Sequence, residues 1–224
     1  MKKPKIFIAC DTPDLKKVKK IIKFSQNKKI DFGYKFGLEF LNSKNGRSFI
    51  AKLKNKVTFG DYKIADIPNT CSSSIKAVKD LKFNYITIHI SSGIDAIKAA
   101  KKVAGKTKLI GVTILTSLNN RLLKQIGYDK DLKKIVQYQA KVAKEAKLDA
   151  IVCSPQEIKF VKKIFKKEII TPGIRLHGDK KGDQKRVMTP KEAFNSGATA
   201  LVIGRSLIRG NIKKNIQKLI KELY

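Results

Sequence analysis

The densest group of residues able to do charge or proton chemistry is the segment Asp61-Tyr62-Lys63-Ile64-Ala65-Asp66. In an extended segment, residues two apart share one face, so Asp61 and Lys63 are expected to project the same way. Together with Lys35 and a second carboxylate they would form an alternating chain of two lysines and two aspartates. Such a network keeps an ammonium group charged while holding it against a reacting carbon. A carboxylate placed beside an anionic group of a substrate would repel that group, and the repulsion would be relieved if the group left as carbon dioxide.

The spacing of this segment is also found in solvated turns of lysine-rich chains, so its position matters. It falls at the end of a predicted strand and precedes Ile67-Pro68-Asn69-Thr70. That placement favours a site over a turn, because catalytic groups of parallel barrels lie at the carboxyl ends of strands.

A second group of residues has the composition of a phosphate site. Thr171-Pro172-Gly173-Ile174-Arg175 is followed by Gly182-Asp183-Gln184 and later by Gly204-Arg205. Phosphate sites of barrels form from the loops after strands seven and eight. Arg175 or Arg205 would supply the charged fork, and the amides around Gly204 the backbone donors. A pair of surface arginines is the alternative, and the scarcity of arginine in the chain argues against it.

The elements that must position these groups alternate between short apolar runs and longer amphipathic segments. Eight strands are predicted, at Lys5–Cys10, Phe32–Phe36, Val57–Asp61, Tyr85–His89, Lys108–Thr113, Ala150–Cys153, Ile169–Thr171 and Ala200–Ile203. Helical spacing relates three sets of residues, which are Leu15, Val18, Ile21 and Ile22, then Leu132, Ile135, Val136, Gln139 and Val142, and finally Ile212, Ile216, Leu219, Ile220 and Leu223. Asn42–Ser48 and Leu176–Gly182 are predicted to be loops, the second over a ligand.

Strict βα alternation over eight units predicts an α/β fold with one TIM-type (β/α)8 barrel, and residues 1–224 are expected to form a single catalytic domain. An open doubly wound sheet would usually show a glycine-rich turn after its first strand, and Cys10–Asp14 has none. In a barrel the charged residues would meet at one rim. Those at predicted strand ends are Asp11, Lys35, Asp61, Lys63, Asp66, Arg175 and Arg205.

The 50 basic and 18 acidic residues give a formal net charge of +32, which favours anionic substrates. Nucleic-acid binding is a second reading of this charge. However, only six of the basic residues are arginine, the lysines are spread along the chain, and tryptophan is absent. These features argue against a specific nucleic-acid partner. The charge therefore reflects either a lysine bias over solvated faces or selection for binding or solubility.

The cysteines and the hydropathy pattern indicate a soluble protein of a reducing compartment, expected to be the cytoplasm. Cys10, Cys71 and Cys153 are far apart and include no CxxC pair, so neither disulfides nor zinc are suggested, and we interpret them as small apolar fillers. No run approaches the ~18 apolar residues of a membrane helix. His89, at the end of strand four, is expected to have a structural or supporting role.

Seven segments, in chain order, resemble the orotidine 5′-monophosphate decarboxylases, which act last in pyrimidine nucleotide synthesis. They are Asp11, Lys35-Phe36-Gly37, DYKIADIPNT at 61–70, VTILTS at 112–117, TPGIR at 171–175, Asp183-Gln184 and IGRSLI at 203–208. The resemblance spans essentially the whole chain and implies a cofactor-free, metal-free homodimer with a nucleotide substrate. Ala65 and Gly60 depart from the family's usual pattern without touching the expected chemistry.

The resemblance also implies a role for each matching residue. Lys63 would protonate C6 of the pyrimidine as the carboxylate leaves, and Lys35, Asp61 and Asp66 would complete the charged network. Asp66, with Ile67 and Thr70, would serve the partner's site across the dimer interface. The remaining substrate contacts would be Asp11 and Lys35 on the ribose, Thr116 or Ser117 on the pyrimidine edge with Thr116 favoured, and Arg175, Gln184, Gly204 and Arg205 on the 5′-phosphate.

A metal-dependent sugar-phosphate lyase or decarboxylase of the same barrel superfamily is the nearest alternative, because it can share the aspartate–lysine core. Such enzymes are expected to use a different phosphate loop. The TPGIR segment, the Asp183-Gln184 pair and the Leu115-Thr116-Ser117 segment argue against this alternative.

Overall fold

The computed structural model describes residues 3–179 and 187–224, in which eight parallel strands follow one another around a closed barrel. Closure occurs because β1 pairs with both β2 and β8. The strands are β1 (Lys5–Ala9), β2 (Asp31–Phe36), β3 (Val57–Ile64), β4 (Tyr85–His89), β5 (Lys108–Val112), β6 (Ala150–Val152), β7 (Glu168–Thr171) and β8 (Ala200–Ile203). The predicted (β/α)8 barrel is confirmed. That residues 1–224 form one catalytic domain stays a prediction.

Helices cover the outside of the barrel between the strands. They are α1 (Leu15–Phe24), α2 (Leu38–Leu41), α3 (Gly46–Lys52), α4 (Pro68–Ala77), α5 (Ile94–Val103), α6 (Asn120–Gln125), α7 (Leu132–Glu145), α8 (Ile158–Ile164), α9 (Pro190–Ser196), α10 (Arg205–Ile208) and α11 (Ile212–Leu223). The three predicted amphipathic patterns correspond to α1, α7 and α11. Each buries its apolar face, with Val18, Ile135 and Ile216 as examples, while the lysines of these helices lie mostly on the exposed side.

The loop predicted over Asn42–Ser48 is wrong in its second half, because α3 begins at Gly46. The first residues of α3 are glycine and polar residues, which are typical of a loop, and the apolar residues of the helix come later. Ile50 is buried, and the ring of Phe49 packs edge-on against Phe40 with centroids 5.8 Å apart. The predicted loop over Leu176–Gly182 is free of helix and strand as far as Asp179, and its remainder lies outside the described residues.

The interior of the barrel is layered along its axis. Phe7, Phe59 and Tyr85 belong to a buried apolar cluster whose rings pack 5.2–6.2 Å apart. Below it, at the amino-terminal end of the strands, the Tyr85 hydroxyl accepts a hydrogen bond from Lys5 (2.5 Å) and donates one to Glu168 (3.0 Å). Burial, followed by the Glu168 carboxylate, raises the pKa of Tyr85 above its usual value, so the hydroxyl stays protonated. This floor closes one end of the barrel and leaves the carboxyl-terminal end for a site.

Two glycines of the barrel wall are explained by aromatic neighbours. Gly33 lies opposite Phe7 in the β1–β2 ladder, and a Cβ at Gly33 would come 2.6 Å from the Phe7 ring. A Cβ at Gly60 would come 2.8 Å from the ring of Tyr62, which packs edge-on against Phe83. The unexpected glycine of β3 thus makes room for Tyr62 between the sheet and its helical layer. Among the residues described, no helix is long and apolar enough to cross a membrane.

We predict that Gly33→Ala lowers the free energy of unfolding by about 1–3 kcal/mol, because the added methyl group overpacks the core against Phe7. In a Phe7→Leu background the same substitution should cost less, since the smaller side chain yields space. Urea denaturation of the four proteins of this double-mutant cycle measures the coupling. Additive effects of the two substitutions would contradict the proposed contact.

Candidate active site

Four charged side chains meet at the carboxyl-terminal rim of the barrel. The Lys35 ammonium lies 2.9 Å from Asp11 Oδ1 and 3.1 Å from Asp61 Oδ2, and the Lys63 ammonium lies 2.7 Å from the same Asp61 oxygen. The order Asp11, Lys35, Asp61, Lys63 therefore alternates in charge. Sequence reasoning anticipated such a chain, but within one subunit Asp11, rather than Asp66, supplies its second carboxylate.

The backbone directly after β2 makes room for this network at Gly37. A Cβ at that position would lie 2.3 Å from Asp11 Oδ1 and 3.4 Å from the Lys35 ammonium. Any larger residue would push the Asp11 carboxylate away from its partner. The glycine of the Lys35-Phe36-Gly37 segment is thus a packing requirement of the ion pair.

Lys63 reaches Asp61 through an irregular stretch of β3. Between the pairs Gly60↔Ile86 and Ile64↔Ile88, β3 has three residues where β4 has one, so the strand bulges. Lys63 has a φ of +49°, a left-handed conformation that is uncommon for a residue with a side chain. Such outliers concentrate at functional sites. The alternation expected of an extended segment predicted the pairing of Asp61 with Lys63, although the backbone achieves it by a bulge.

The network keeps its members ionised despite burial. Burial disfavours the carboxylate form of Asp61, but Lys35 and then Lys63 outweigh it and hold the pKa of this carboxyl below its usual value. Burial likewise lowers the pKa of Lys35, while Asp61 and then Asp11 outweigh it, so that the net pKa of this ammonium lies above its usual value. Both side chains are therefore charged at neutral pH.

Other titratable groups near the rim are held neutral. Burial, and then the ammonium of Lys63, lowers the pKa of His89, which opposes protonation of the imidazole near neutral pH. Burial raises the pKa of the Cys10 and Cys71 thiols, and all three cysteines are buried and form no disulfide. These findings agree with the interpretation of the cysteines as fillers.

The charged network lines one side of a cavity of about 590 Å³. Thr116 and Phe59 line it as well, as do Pro172, Gly173 and Arg175 after β7 and Gly204 and Arg205 after β8. The volume is in the range of sites for small organic ligands. Of the residues predicted from sequence, those that line it are Asp11, Lys35, Asp61, Lys63, Thr116, Arg175, Gly204 and Arg205.

The β7 side of the cavity is braced by backbone bonds. The Arg175 N–H donates to the Met188 carbonyl at 3.1 Å, and the Met188 N–H donates to the Gly173 carbonyl at 3.2 Å. These bonds hold the two ends of the intervening segment together. Arg175 is itself 8% exposed and donates from Nη1 to the Ile174 carbonyl at 3.0 Å. Its guanidinium is thus fixed at the cavity wall rather than extended into solvent.

A family model described as "Orotidine 5′-phosphate decarboxylase / HUMPS family" matches residues 4–217. The chain belongs to this family. Curated relatives named orotidine 5′-phosphate decarboxylase include one from Wolbachia sp. subsp. Brugia malayi, 41% identical over 96% of each chain. Another, from Carboxydothermus hydrogenoformans, is 39% identical and covers 98% of this chain and 95% of its own length.

Solved structures extend the likeness to the fold. The orotidine 5′-phosphate decarboxylase of Lactobacillus acidophilus aligns with a TM-score of 0.83 at 30% identity, covering 99% of each chain. The enzyme from Methanocaldococcus jannaschii, solved with the inhibitor BMP, aligns with a TM-score of 0.79 at 28% identity, again over 99% of each chain.

Some of the residues that the family resemblance assigns to the site lie away from the cavity in this subunit. Asp66, Ile67 and Thr70 are exposed around the start of α4, and Ile67 is 67% exposed. Ser117 lines a separate, shallower depression beside Asn119, whereas Thr116 borders both. Gln184 lies outside the described residues. The roles of these residues stay predictions.

Sequence reasoning missed three polar residues that the structure places at the site. Lys17 on α1 and Arg209 after α10 line the cavity, and both follow strand ends at the same rim. Thr87 on β4 contacts Asp61 and the Lys63 backbone. The sequence could have indicated this position, because Tyr85, Thr87 and His89 are two residues apart along the strand and so share one face.

The pH dependence of stability should report the ionised Asp61. Its folded-state pKa lies below its unfolded value, so its ionised form stabilises the fold above about pH 4, and this contribution is lost as the pH falls toward the folded pKa. The free energy of unfolding of wild type minus that of Asp61→Asn should therefore fall by on the order of 1 kcal/mol as the pH is lowered from about 6 to about 3. Urea denaturation at each pH measures it.

Asp80→Asn is the surface control, since this carboxylate is mostly exposed and pairs with Arg47 on the outside of the barrel. A difference between wild type and Asp61→Asn that stays constant with pH would contradict the assigned charge state.

Proposed function

We propose that this protein decarboxylates orotidine 5′-monophosphate to uridine 5′-monophosphate without a cofactor. The observation that carries the proposal is the alternating network of Asp11, Lys35, Asp61 and Lys63, which lies in one cavity with Arg175 and Arg205. Membership of the family, and near-full-length relatives named orotidine 5′-phosphate decarboxylase, support the same reaction.

The charges of the cavity suit a substrate with two anionic groups. Six cationic and two anionic side chains line it among the described residues. Four of the cations, Lys17, Arg175, Arg205 and Arg209, lie outside the neutral network of two lysines and two aspartates. We assign Arg175, Arg205 and the amides around Gly204 to the 5′-phosphate, together with Gln184. These contacts are remote from the reacting carbon, so their binding energy can be used to fix the pyrimidine.

Asp11 and Lys35 then hold the ribose hydroxyls, and Thr116 bonds the pyrimidine edge. Asp11 is the more exposed end of the network, with 49% of its side chain accessible, and is therefore available to a ligand. Lys35 is held between two carboxylates, and the longest of its three hydrogen bonds, to Asp11 Oδ2 at 3.3 Å, is the one that a ribose hydroxyl would share or replace. In this proposal the sugar lies beside the network and the base above Lys63.

In the proposed reaction the bond between C6 and the carboxylate carbon breaks, its electron pair stays on C6, and carbon dioxide leaves. Lys63 transfers a proton from its ammonium group to C6 and becomes a neutral amine, which later takes a proton from water. The carbanion has no electron sink in the ring, so fixed positive charge must stabilise it. Asp61 holds Lys63 at 2.7 Å and faces the departing carboxylate, whose loss relieves their repulsion.

A homodimer with shared active sites is part of the proposal. Asp66, Ile67 and Thr70 are exposed in the single subunit and are therefore accessible to a partner chain. In a two-fold dimer the same patch meets itself, so each subunit would offer these residues to the other's cavity. Asp66 would there face Lys63 of the opposite site and extend the alternation of charge.

The first test is turnover of orotidine 5′-monophosphate in excess chelator, followed by the ultraviolet change as orotate becomes uracil. Lys63→Ala should lose at least about 1,000-fold in kcat, because it removes the proton donor and the stabilising charge together. Lys213→Ala, on the exposed face of α11, is the matched control and should retain wild-type turnover. Inactive but folded wild-type protein would sink the proposal, and phosphorylated sugars with magnesium would then be assayed.

Sharing of sites across a dimer predicts complementation. Lys63→Ala and Asp66→Asn chains carrying different tags are co-expressed, and the mixed dimer is isolated by two affinity steps. One of its two sites holds both native residues, so it should show about half of the wild-type activity per dimer.

A mixed dimer of Lys63→Ala with Asp61→Asn is the control for this experiment. Asp61 and Lys63 contact each other within one chain, so each of its sites keeps one defect and no activity should return. If neither mixed dimer were active, the role of Asp66 across the interface would be contradicted. The decarboxylase activity of wild type would still be judged by its own turnover assay.

A further inference from the structure

Thr87 occupies a singular position in the irregular part of the sheet. It is the one residue of β4 that lies between the pairs Gly60↔Ile86 and Ile64↔Ile88, opposite the three residues 61–63 of β3. Its side chain is 1% exposed and does not line the cavity. Thr87 therefore packs against the bulge and is shielded from any ligand.

The Thr87 hydroxyl makes two hydrogen bonds to the charged network. The backbone N–H of Lys63 donates to Thr87 Oγ1 at 2.8 Å, and this hydroxyl donates to Asp61 Oδ1 at 3.1 Å. A hydroxyl can do both at once, because it carries one proton and two lone pairs. One side chain thereby joins the backbone of the proposed proton donor to the carboxylate that holds it.

The two oxygens of the Asp61 carboxylate have different hydrogen-bond partners. Oδ1 accepts from Thr87, while Oδ2 accepts from the ammonium groups of both Lys35 (3.1 Å) and Lys63 (2.7 Å). Without the Thr87 proton, Oδ1 would be free to rotate toward either ammonium. The hydroxyl therefore sets the plane of the carboxylate and, through it, the location of the Lys63 ammonium.

The same hydroxyl supports the left-handed backbone of Lys63. A bulge takes residues out of the regular ladder and leaves their N–H groups without the usual strand partner. The Thr87 oxygen takes the place of a ladder carbonyl for Lys63. This bond fixes the residue in a conformation that a side chain disfavours.

We propose that Thr87 is a positioning residue for decarboxylation, which acts by holding the Lys63 backbone and the Asp61 carboxylate in register with each other. This inference rests on the proposed function for its catalytic readout. It assigns no substrate contact to Thr87. Its expected effect is therefore on the rate of the chemical step rather than on affinity.

The test replaces Thr87 with Val, which has nearly the same shape but no hydroxyl, and with Ser, which keeps the hydroxyl. Thr87→Val should lower kcat for orotidine 5′-monophosphate roughly 10- to 100-fold, since a lost buried hydrogen bond and a small misplacement of a catalytic group each have effects of this size. KM, and the affinity for uridine 5′-monophosphate, should stay within about 3-fold of wild type. Thr87→Ser should recover most of kcat.

Thr58→Val is the matched structural control. Thr58 is likewise buried in a strand, and its hydroxyl points to the Asn84 side chain, away from the charged network. The control should lower Tm without lowering kcat. Thr87→Val with unchanged kcat, or a loss of kcat that Thr58→Val and Thr87→Ser share, would overturn the proposal.

Hydrogen exchange of the Lys63 backbone amide separates this inference from the proposed function. Thr87→Val should expose this amide to exchange at least about 10-fold faster than Thr87→Ser does, because only the serine variant retains an acceptor. The measurement needs no turnover. Equal protection of the Lys63 amide in the two variants would refute the positioning role even in an active enzyme. A wild type without turnover would instead refute the decarboxylase activity, and the exchange result would still decide the role of Thr87.

Discussion

The site depends on a single carboxylate oxygen, Asp61 Oδ2, which accepts hydrogen bonds from two ammonium groups. Two lysines this close would repel each other, and burial would discharge at least one of them. The carboxylate offsets both effects, provided that its plane and position are fixed. The pairing of β2 with β3, with Lys35 opposite Phe59, brings Lys35 alongside, and the bulge in β3 returns Lys63 to the same oxygen. Much of the rim's geometry serves this arrangement, down to the missing side chain at Gly37.

The layered interior explains how a charged rim is tolerated in a small barrel. The aromatic cluster around Phe7, Phe59 and Tyr85 fills the middle of the barrel and separates two sets of polar groups. At the floor, Lys5, Tyr85 and Glu168 satisfy one another, while at the rim the network of Asp61 does so with a cavity above it. In each polar layer, ion pairs and hydrogen bonds offset part of the cost of burying charge. The middle layer also anchors the strands against which the bulge is built.

The strands and their order were predictable because most strands are short, largely apolar runs, and the rim charges were predictable because they lie at or soon after the ends of those runs. What the sequence could not convey depends on pairing between strands. The bulge after Gly60 arises only when β3 meets β4, so neither the left-handed Lys63 nor the contact with Thr87 follows from local spacing. The helix at Gly46–Lys52 was missed for a related reason, since its polar first turn is stabilised by Phe49 packing on Phe40.

The electrostatics of the cavity differ from those of the whole chain, and the difference bears on how a substrate would be oriented. The chain carries +32, but exposed charges more than about 10 Å apart are largely screened at ordinary salt. Within the cavity, the network of two lysines and two aspartates sums to zero, whereas Arg175 and Arg205 line the side toward β7 and β8. A ligand with a doubly charged phosphate and a singly charged carboxylate is therefore drawn by its phosphate to the arginines. In the proposed reaction its carboxylate would then face Asp61, where attraction would be weakest and its loss most favoured.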